Sequence, residues 1–263
     1  MGEIISASRR TDIPAFFWRE FTEMLDKGEA ISVNPFSGVR KKVSLLKEDV
    51  DCVVFWTKDP APALKDLENL EKRGIRSVFH ITVNCFGPEV ETSVPPLKHV
   101  AKSVRELSKI LGQERVFWRF DPLLPWEVPM KTEYRFRKVA DLISEHVSRC
   151  YIAVFQPYKK AMIRMKLRDK RTPLEPQEGV PQTLLTLAEE YRIPLYSCCS
   201  PPLEKAGIPK GACIDGDYLA KIFSDDNIRK KKNPTRPGCL CTDSRDIGFY
   251  RTCRHGCLYC YAR

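Results

Sequence analysis

No run of apolar residues in this 263-residue sequence approaches the ~18 that a membrane span needs. Residues 1–10 hold no apolar stretch long enough for a secretory signal, so a cytoplasmic protein is the expectation. No glycine-rich dinucleotide fingerprint and no phosphate-loop lysine motif occurs, which argues against a nucleotide-binding open sheet. There is no internal repeat. Cysteine, at eleven residues, falls well below the ~8–10% of a disulfide scaffold. What is present is globular: 43% hydrophobic and 30% charged residues, enough for a sizeable core. One domain over 1–263 is expected, with a cysteine-rich C-terminal part at 193–263.

Short apolar runs alternate with helical patterns. Strands are expected at 3–8, 29–33, 51–57, 77–84, 115–121, 150–156, 193–200 and 246–253. Helices are expected at 14–27, 61–74, 96–112, 130–147 and 181–192, several closed by glycine. Alternation of this kind predicts an α/β fold, a parallel sheet with helices outside it. About eight units suit a TIM-like barrel, complete or partial. A doubly wound open sheet is the alternative. The stretches 157–180 and 224–238 read as loops. Chemistry in parallel barrels sits at the C-terminal strand ends. There the sequence places Arg9, Arg10, Asp12, Lys58, Asn84, Arg119 and Asp121. Asp12 and Asp59, each just before a proline, also suit helix capping. Arg119 and Lys58 lie beside Trp and Phe in apolar strands and need a partner or a ligand.

Eight of the eleven cysteines lie in the last 66 residues. Cys253, Cys257 and Cys260 form the run Cys-Arg-His-Gly-Cys-Leu-Tyr-Cys, three thiols in one tight loop. Structural zinc usually takes four ligands in paired short spacings. Here the nearest fourth donors are His255 and distant thiols. An iron–sulfur cube is held by thiolates at separate irons, and three would leave one iron open. The spacing therefore favours iron–sulfur over zinc. Cys198, Cys199, Cys213, Cys239 and Cys241 form a second group. An auxiliary [4Fe–4S] cluster is favoured for it, with structural zinc or free redox thiols as alternatives, and the choice between Cys198 and Cys199 stays open. Cys52, Cys85 and Cys150 stand alone in apolar runs and read as small buried hydrophobes.

The Cys253-x3-Cys257-x2-Cys260 run, with Tyr259 before the last cysteine, resembles the signature of the radical S-adenosylmethionine superfamily. The resemblance implies a catalytic [4Fe–4S] cluster on those three cysteines. S-adenosylmethionine would be bound at the free iron and cleaved to a 5′-deoxyadenosyl radical. It further implies a reductant such as flavodoxin or ferredoxin. Ser8–Pro14, then VVFWTKDP, SVFHITVN and VFWRFDPLLP, resemble successive strands of spore photoproduct lyase-like enzymes. In that superfamily the cysteine motif normally follows the first barrel strand, whereas here it follows the last. The resemblance thus implies a circularly permuted barrel, with Tyr259, Arg9, Arg10, Asp12, Lys58, Arg119 and Asp121 around cofactor or substrate. The whole chain also resembles a family of prokaryotic proteins with a domain of unknown function, which start at SRRTDIP and finish at the same cysteine run.

The formal net charge is +10. It concentrates in Lys159–Arg171 and Arg229–Arg236, near Phe155 and Tyr158, which could stack on bases. A solvated surface is the plainer reading of those runs, and either way the charge attracts an anionic substrate. The substrate stays open between a nucleic acid, by analogy with the lyase-like relatives, and a peptide or small metabolite. The competing function is a zinc-stabilised nucleic-acid-binding protein, with structural cysteines and working basic loops.

Overall fold

The computed structural model describes residues 2–34, 37–167 and 175–263. Strand and helix alternate along it. The strands are β1 (Glu3–Ala7), β2 (Glu29–Val33), β3 (Arg40–Ser44), β4 (Val50–Thr57), β5 (Ser77–Thr82), β6 (Val116–Leu123), β7 (Cys150–Val154), β8 (Leu195–Ser197) and β9 (Arg245–Asp246). The helices are α1 (Ile13–Phe16), α2 (Trp18–Lys27), α3 (Ala61–Lys72), α4 (Leu97–Leu111), α5 (Pro129–Ile143), α6 (Lys159–Arg164), α7 (Val180–Glu190), α8 (Pro201–Lys205) and α9 (Gly216–Phe223).

Seven strands form one parallel sheet in the order β8-β7-β6-β5-β4-β1-β9. The expected strand at 29–33 is instead half of an antiparallel hairpin, β2 with β3, outside that sheet. Its partner carries Arg40, Lys41 and Lys42, too polar to read as a strand from periodicity alone.

Alternating side chains point to opposite faces of a strand, so every buried strand contributes to two cores. One face carries Ile5, Ala7, Val53, Phe55, Phe79, Ile81, Trp118, Phe120, Ile152 and Val154 and packs against the helices. Phe55 stacks on Phe79 there at 4.7 Å. The other face carries Ile4, Val54, Val78, Phe117, Tyr151 and Ala153. It is covered by α9 and by the segment holding Cys198, Cys213, Cys239 and Cys241. The second group of cysteines is therefore an interior feature of the sheet.

The helix expected over 14–27 is broken at Phe17 (φ −137°) into α1 and α2. Asp12 does cap it: its Oδ1 accepts from the Ala15 amide at 3.0 Å. The expected loop at 157–180 contains α6, and 193–263 contains α8 and α9, short helices below the length at which periodicity speaks.

The expected strand at 246–253 is a correction. Only Arg245–Asp246 pair with β1. Beyond them the backbone comes so close to β1 that a Cβ on Gly248 would stand 1.9 Å from Ser8 Oγ. Arg251 then takes a left-handed φ of 64°. The chain leaves the sheet as a loop, and that loop carries Cys253, Cys257 and Cys260.

Among the described residues no helix is long and apolar enough to cross a membrane, and all eleven cysteines are free thiols.

Candidate functional site

Asp246 fixes where the cysteine loop starts. Its carboxylate accepts from Ser6 Oγ (3.0 Å), Ser8 Oγ (2.9 Å), the Arg9 amide (2.9 Å) and the Gly248 amide (3.0 Å). One side chain thus ties β9, the end of β1 and the loop together. Arg10 serves the same anchor: it lies 3.6 Å from Asp246, donates to the Val33 carbonyl at 2.7 Å and covers Tyr250. It turns toward the hairpin and touches neither group of thiols.

The loop then docks on the segment after β5. Glu91 and Cys257 form a β-bridge, and the Leu258 amide donates to the Val90 carbonyl at 2.9 Å. The Ser93 amide donates to the His255 carbonyl at 2.9 Å. Arg164, from α6, donates to the Leu258 carbonyl at 3.1 Å and also to that of Cys260. His255 is buried, and its Nε2 donates to Asp12 Oδ2 at 2.7 Å. The same oxygen accepts from the Lys58 amide at 2.7 Å. His255 is thereby a loop anchor. Its other nitrogen, Nδ1, lies 3.4 Å from the Ser93 carbonyl, so both ring nitrogens already face protein oxygens, which counts against it as the fourth zinc ligand.

A buried ion pair lies directly beside Cys257. Lys58 Nζ stands 2.7 Å from Glu91 Oε1, with side-chain exposures of 11% and 3%. Tyr259 Oη and Asn84 Nδ2 also donate to Glu91. Burial acts to lower the Lys58 pKa, but the charges of Glu91, Cys257 and Asp12 outweigh it and hold Lys58 above its ordinary value. Burial likewise acts to raise Glu91, and the Lys58 charge with three side-chain hydrogen bonds holds it below. Burial pushes Cys253 up to about 12 and Cys257 up to about 11. Both thiols hold their protons at neutral pH, so any metal they bind must displace those protons.

The second group lies on the covered face of the sheet. Cys198 Sγ is 2.8 Å from Cys213 Sγ. The Cys241 amide donates to Cys239 Sγ at 3.4 Å, and both residues pack in the same buried cluster as Cys198 and Cys213. Proton sharing with Cys199 first and then Cys213 holds Cys198 toward thiolate, sharing with Cys213 and Cys239 does the same for Cys241, and Cys199, Cys213 and Cys239 are pushed up. Arg119 Nη1 donates to Cys213 Sγ at 3.0 Å, while Nη2 pairs with Asp121. Arg236 donates to the Cys198 carbonyl at 3.2 Å. Arg9 and Arg119 both cover the Trp56 ring. His80 stacks on Trp56 at 4.2 Å and donates from Nε2 to the Cys213 carbonyl at 2.7 Å. Burial and the Arg119 charge keep it neutral.

Asn84 links the two groups. It donates to the Asp121 carbonyl at 2.8 Å and to Tyr259 Oη at 3.1 Å, and accepts from the Asp121 amide at 2.7 Å. A continuous polar path therefore runs from Tyr259 through Asn84 and Asp121 to Arg119 and Cys213.

The structure thus gathers Asp12, Lys58 and Tyr259 around the Cys253–Cys260 loop, and Arg9, Arg119 and Asp121 around the interior cysteines. Among the described residues no group of three or more His, Cys, Asp or Glu side chains is placed to hold a single metal ion. A cubane cluster makes a different demand, since each thiolate takes its own iron.

Sequence reasoning missed Glu91, Asp246 and Arg236. Glu91 sits in a loop, GPEVET, whose acidic residues look alike until one is buried. Of the basic runs, Lys159, Lys160 and Lys230–Thr235 are exposed, Arg164, Arg229 and Arg236 are half-buried, and positions 168–171 of the first run lie outside the described residues.

Residues 4–262 match the family model described as Domain of unknown function (DUF1848). The chain belongs to that family. The match covers SRRTDIP and the terminal cysteines, which carried the whole-chain resemblance, and the family's description names no activity. No curated protein matches the chain.

Proposed function

We propose that this chain is a radical S-adenosylmethionine enzyme built on a circularly permuted, TIM-like partial barrel. The observation that carries this reading is the position of the three-cysteine loop. It leaves the C-terminal end of β9, which pairs in parallel with β1. Counted from β9, the strands lie across the sheet in the order β9, β1, β4, β5, β6, β7, β8. That is the order of an unpermuted barrel whose first strand carries the cluster loop.

The residues fit a cluster. Cys253, Cys257 and Cys260 are three thiols within one ordered loop, and no fourth donor competes for the remaining corner. A [4Fe–4S] cluster held there would supply the electron that cleaves the sulfonium to methionine and a 5′-deoxyadenosyl radical. The chain's own part is positioning and exclusion of water. Asp12 and Arg164 hold the loop at fixed depth. Lys58 brings a buried positive charge beside Cys257, where it offsets thiolate charge. Tyr259 shields Cys257 and Glu91 from solvent. The reductant would be a small electron carrier such as flavodoxin or ferredoxin. An anionic substrate, nucleic acid by analogy, suits the overall charge.

The test is anaerobic reconstitution with iron and sulfide, reduction with dithionite and measurement of 5′-deoxyadenosine formed from S-adenosylmethionine. Cleavage by the intact chain and none by Cys257→Ala is the expected result. Full cleavage by Cys257→Ala sinks the proposal. Stoichiometric zinc with salt-sensitive RNA or DNA binding and no cleavage would put the zinc-stabilised binding protein in its place.

A further inference from the structure

We infer that Cys198, Cys213, Cys239 and Cys241 hold a second [4Fe–4S] cluster on the covered face of the sheet. The inference stands apart from the reading of the Cys253 loop, because none of its ligands comes from there. Four buried thiols reach one place from three separate stretches: the end of β8, the turn before α9 and the loop after it. Cys198 Sγ lies 2.8 Å from Cys213 Sγ, the Cys241 amide donates to Cys239 Sγ at 3.4 Å, and all four pack in one buried cluster. Apolar packing alone would not require charged neighbours, yet guanidinium groups surround this pack. Arg119 donates to Cys213 Sγ at 3.0 Å and lies in the sheet itself. Arg236 lies 3.9 Å from Cys198 Sγ. Arg9 acts on Cys241, and its buried Nη2 finds no hydrogen-bond partner among the described residues.

Charge explains this surplus. Three guanidiniums against the one carboxylate of Asp121 leave two uncompensated positive charges. Four thiolates around an oxidised cubane core carry a net charge of roughly −2, and that closes the balance. Of the three arginines, Arg119 is buried and Arg9 and Arg236 are half-buried, and four neutral thiols would leave the buried Arg119 charge to Asp121 alone. A zinc ion on four thiolates carries the same charge, so spacing must decide between them. Cys239 and Cys241 are separated by a single residue, short of the two to four usual between paired zinc ligands. A cubane gives each thiolate its own iron and removes the need for both to reach one ion. The 2.8 Å contact of Cys198 with Cys213 must open to admit the core.

The structure also assigns Cys198 over Cys199. Cys198 is buried in one cluster with Cys213, Cys239 and Cys241, its Sγ 2.8 Å from Cys213 Sγ, whereas Cys199 is half-buried, adopts a left-handed φ of 53° and meets the cluster through Cys198 and Arg236. All four irons would then carry protein ligands. Such a centre can pass electrons or brace the fold, and it leaves no iron open to chelate a substrate.

The decisive sample is the full chain carrying Cys253→Ala, Cys257→Ala and Cys260→Ala, reconstituted anaerobically with ferrous iron and sulfide. It should retain roughly four irons and four sulfides per chain and give a paramagnetic signal after dithionite reduction. In that background Cys199→Ser should keep the iron and Cys198→Ser should lose most of it. The two positions adjoin, so misfolding of one alone would show as a difference in circular dichroism. The unmutated chain should hold roughly eight irons. Fewer than five irons in the unmutated chain together with retained S-adenosylmethionine cleavage overturns the inference and spares the first reading. So does zinc in place of iron in the triple variant, or a pair of disulfides among the four cysteines. Loss of iron from Cys199→Ser and not from Cys198→Ser overturns the ligand assignment.

Discussion

Removing the charge of Glu91 should destabilise the chain more than any isosteric change nearby. Glu91→Gln keeps the shape of the side chain and one carbonyl oxygen for Tyr259 and Asn84. It keeps an oxygen beside the Lys58 ammonium, 11% exposed, but removes the negative charge that stood 2.7 Å from it. Breaking one side of a buried pair costs about 3–5 kcal/mol. The Asp12 charge still acts on Lys58, so the lower end, about 3 kcal/mol, is expected. Lys58→Met leaves a carboxylate that keeps two hydrogen-bond donors, and about 2 kcal/mol is expected for it. The double variant Lys58→Met/Glu91→Gln buries no charge and should be no less stable than Lys58→Met alone, a coupling of roughly 3 kcal/mol. The assay is guanidinium unfolding of the metal-free, reduced chain by circular dichroism, comparing midpoints at constant slope. On heating, the Glu91→Gln loss corresponds to roughly 6–12 °C for a chain of this size. The sign of the pH dependence follows. Glu91 is held below its ordinary 4.5, so its contribution is complete above that value and is lost as pH falls through the lowered pKa. Lys58 is held above its ordinary 10.5, so its contribution is complete below that value and is lost as pH rises through the raised pKa. The advantage of the native pair over the double variant should therefore be flat between those limits and decline outside them. A Glu91→Gln variant within about 0.5 kcal/mol of the native chain, or purely additive losses, would refute the account of this pair.

Two further outcomes test the fold around the cysteines. Burial raises Cys52 to about 12 and pushes Cys150 higher still. At pH 8 the Cys52 thiolate fraction is then about one part in ten thousand, and peptide mapping after iodoacetamide should find both residues unmodified until the chain is unfolded. Alkylation of either in the folded chain would show that these strands are not sealed. Gly216→Ala would place a Cβ 2.2 Å from the Arg229 carbonyl oxygen and 3.0 Å from Thr242 Oγ1. Because the first of these is backbone, α9 must shift, at about 1–3 kcal/mol. Unchanged stability by the same unfolding assay would mean that the cover over the interior cysteines is looser than described.

The parts of the sheet that read correctly from sequence are those whose physics is local. The short continuous apolar runs in DCVVFWT and RVFWRFD report burial on both faces, and β4 and β6 form there. Cys52 and Cys150, placed as buried hydrophobes, are fully buried, while Cys85 is half-exposed with a left-handed φ of 55°. Asp12 illustrates where local reasoning stops. Its position before Pro14 announces a cap, and it does cap α1. Nothing in the surrounding residues reveals that its other oxygen grips His255, 243 positions away. Glu91 and Asp246 were invisible for the same reason, since a charged residue in a loop or at a strand end declares itself only once a distant segment covers it.

Metal donors and their charge balance are separable in the same way. Spacing alone marks Cys253, Cys257 and Cys260 as a set, because three thiols in eight residues cannot avoid one another. It leaves the interior five unsorted, since their convergence depends on three loops meeting over one face of the sheet. Topology separates Cys198 from Cys199, and it explains Arg119. In an apolar strand this arginine looked like a fault needing a ligand. In the fold its guanidinium faces thiols on one side and Asp121 on the other. A buried cation tied to both sulfur and carboxylate is costly unless the sulfur carries charge. Arg119→Met should accordingly be tolerated by the metal-free chain and should weaken iron retention at the interior cysteines. Unchanged iron retention in that variant would mean that the interior cluster does not depend on this charge.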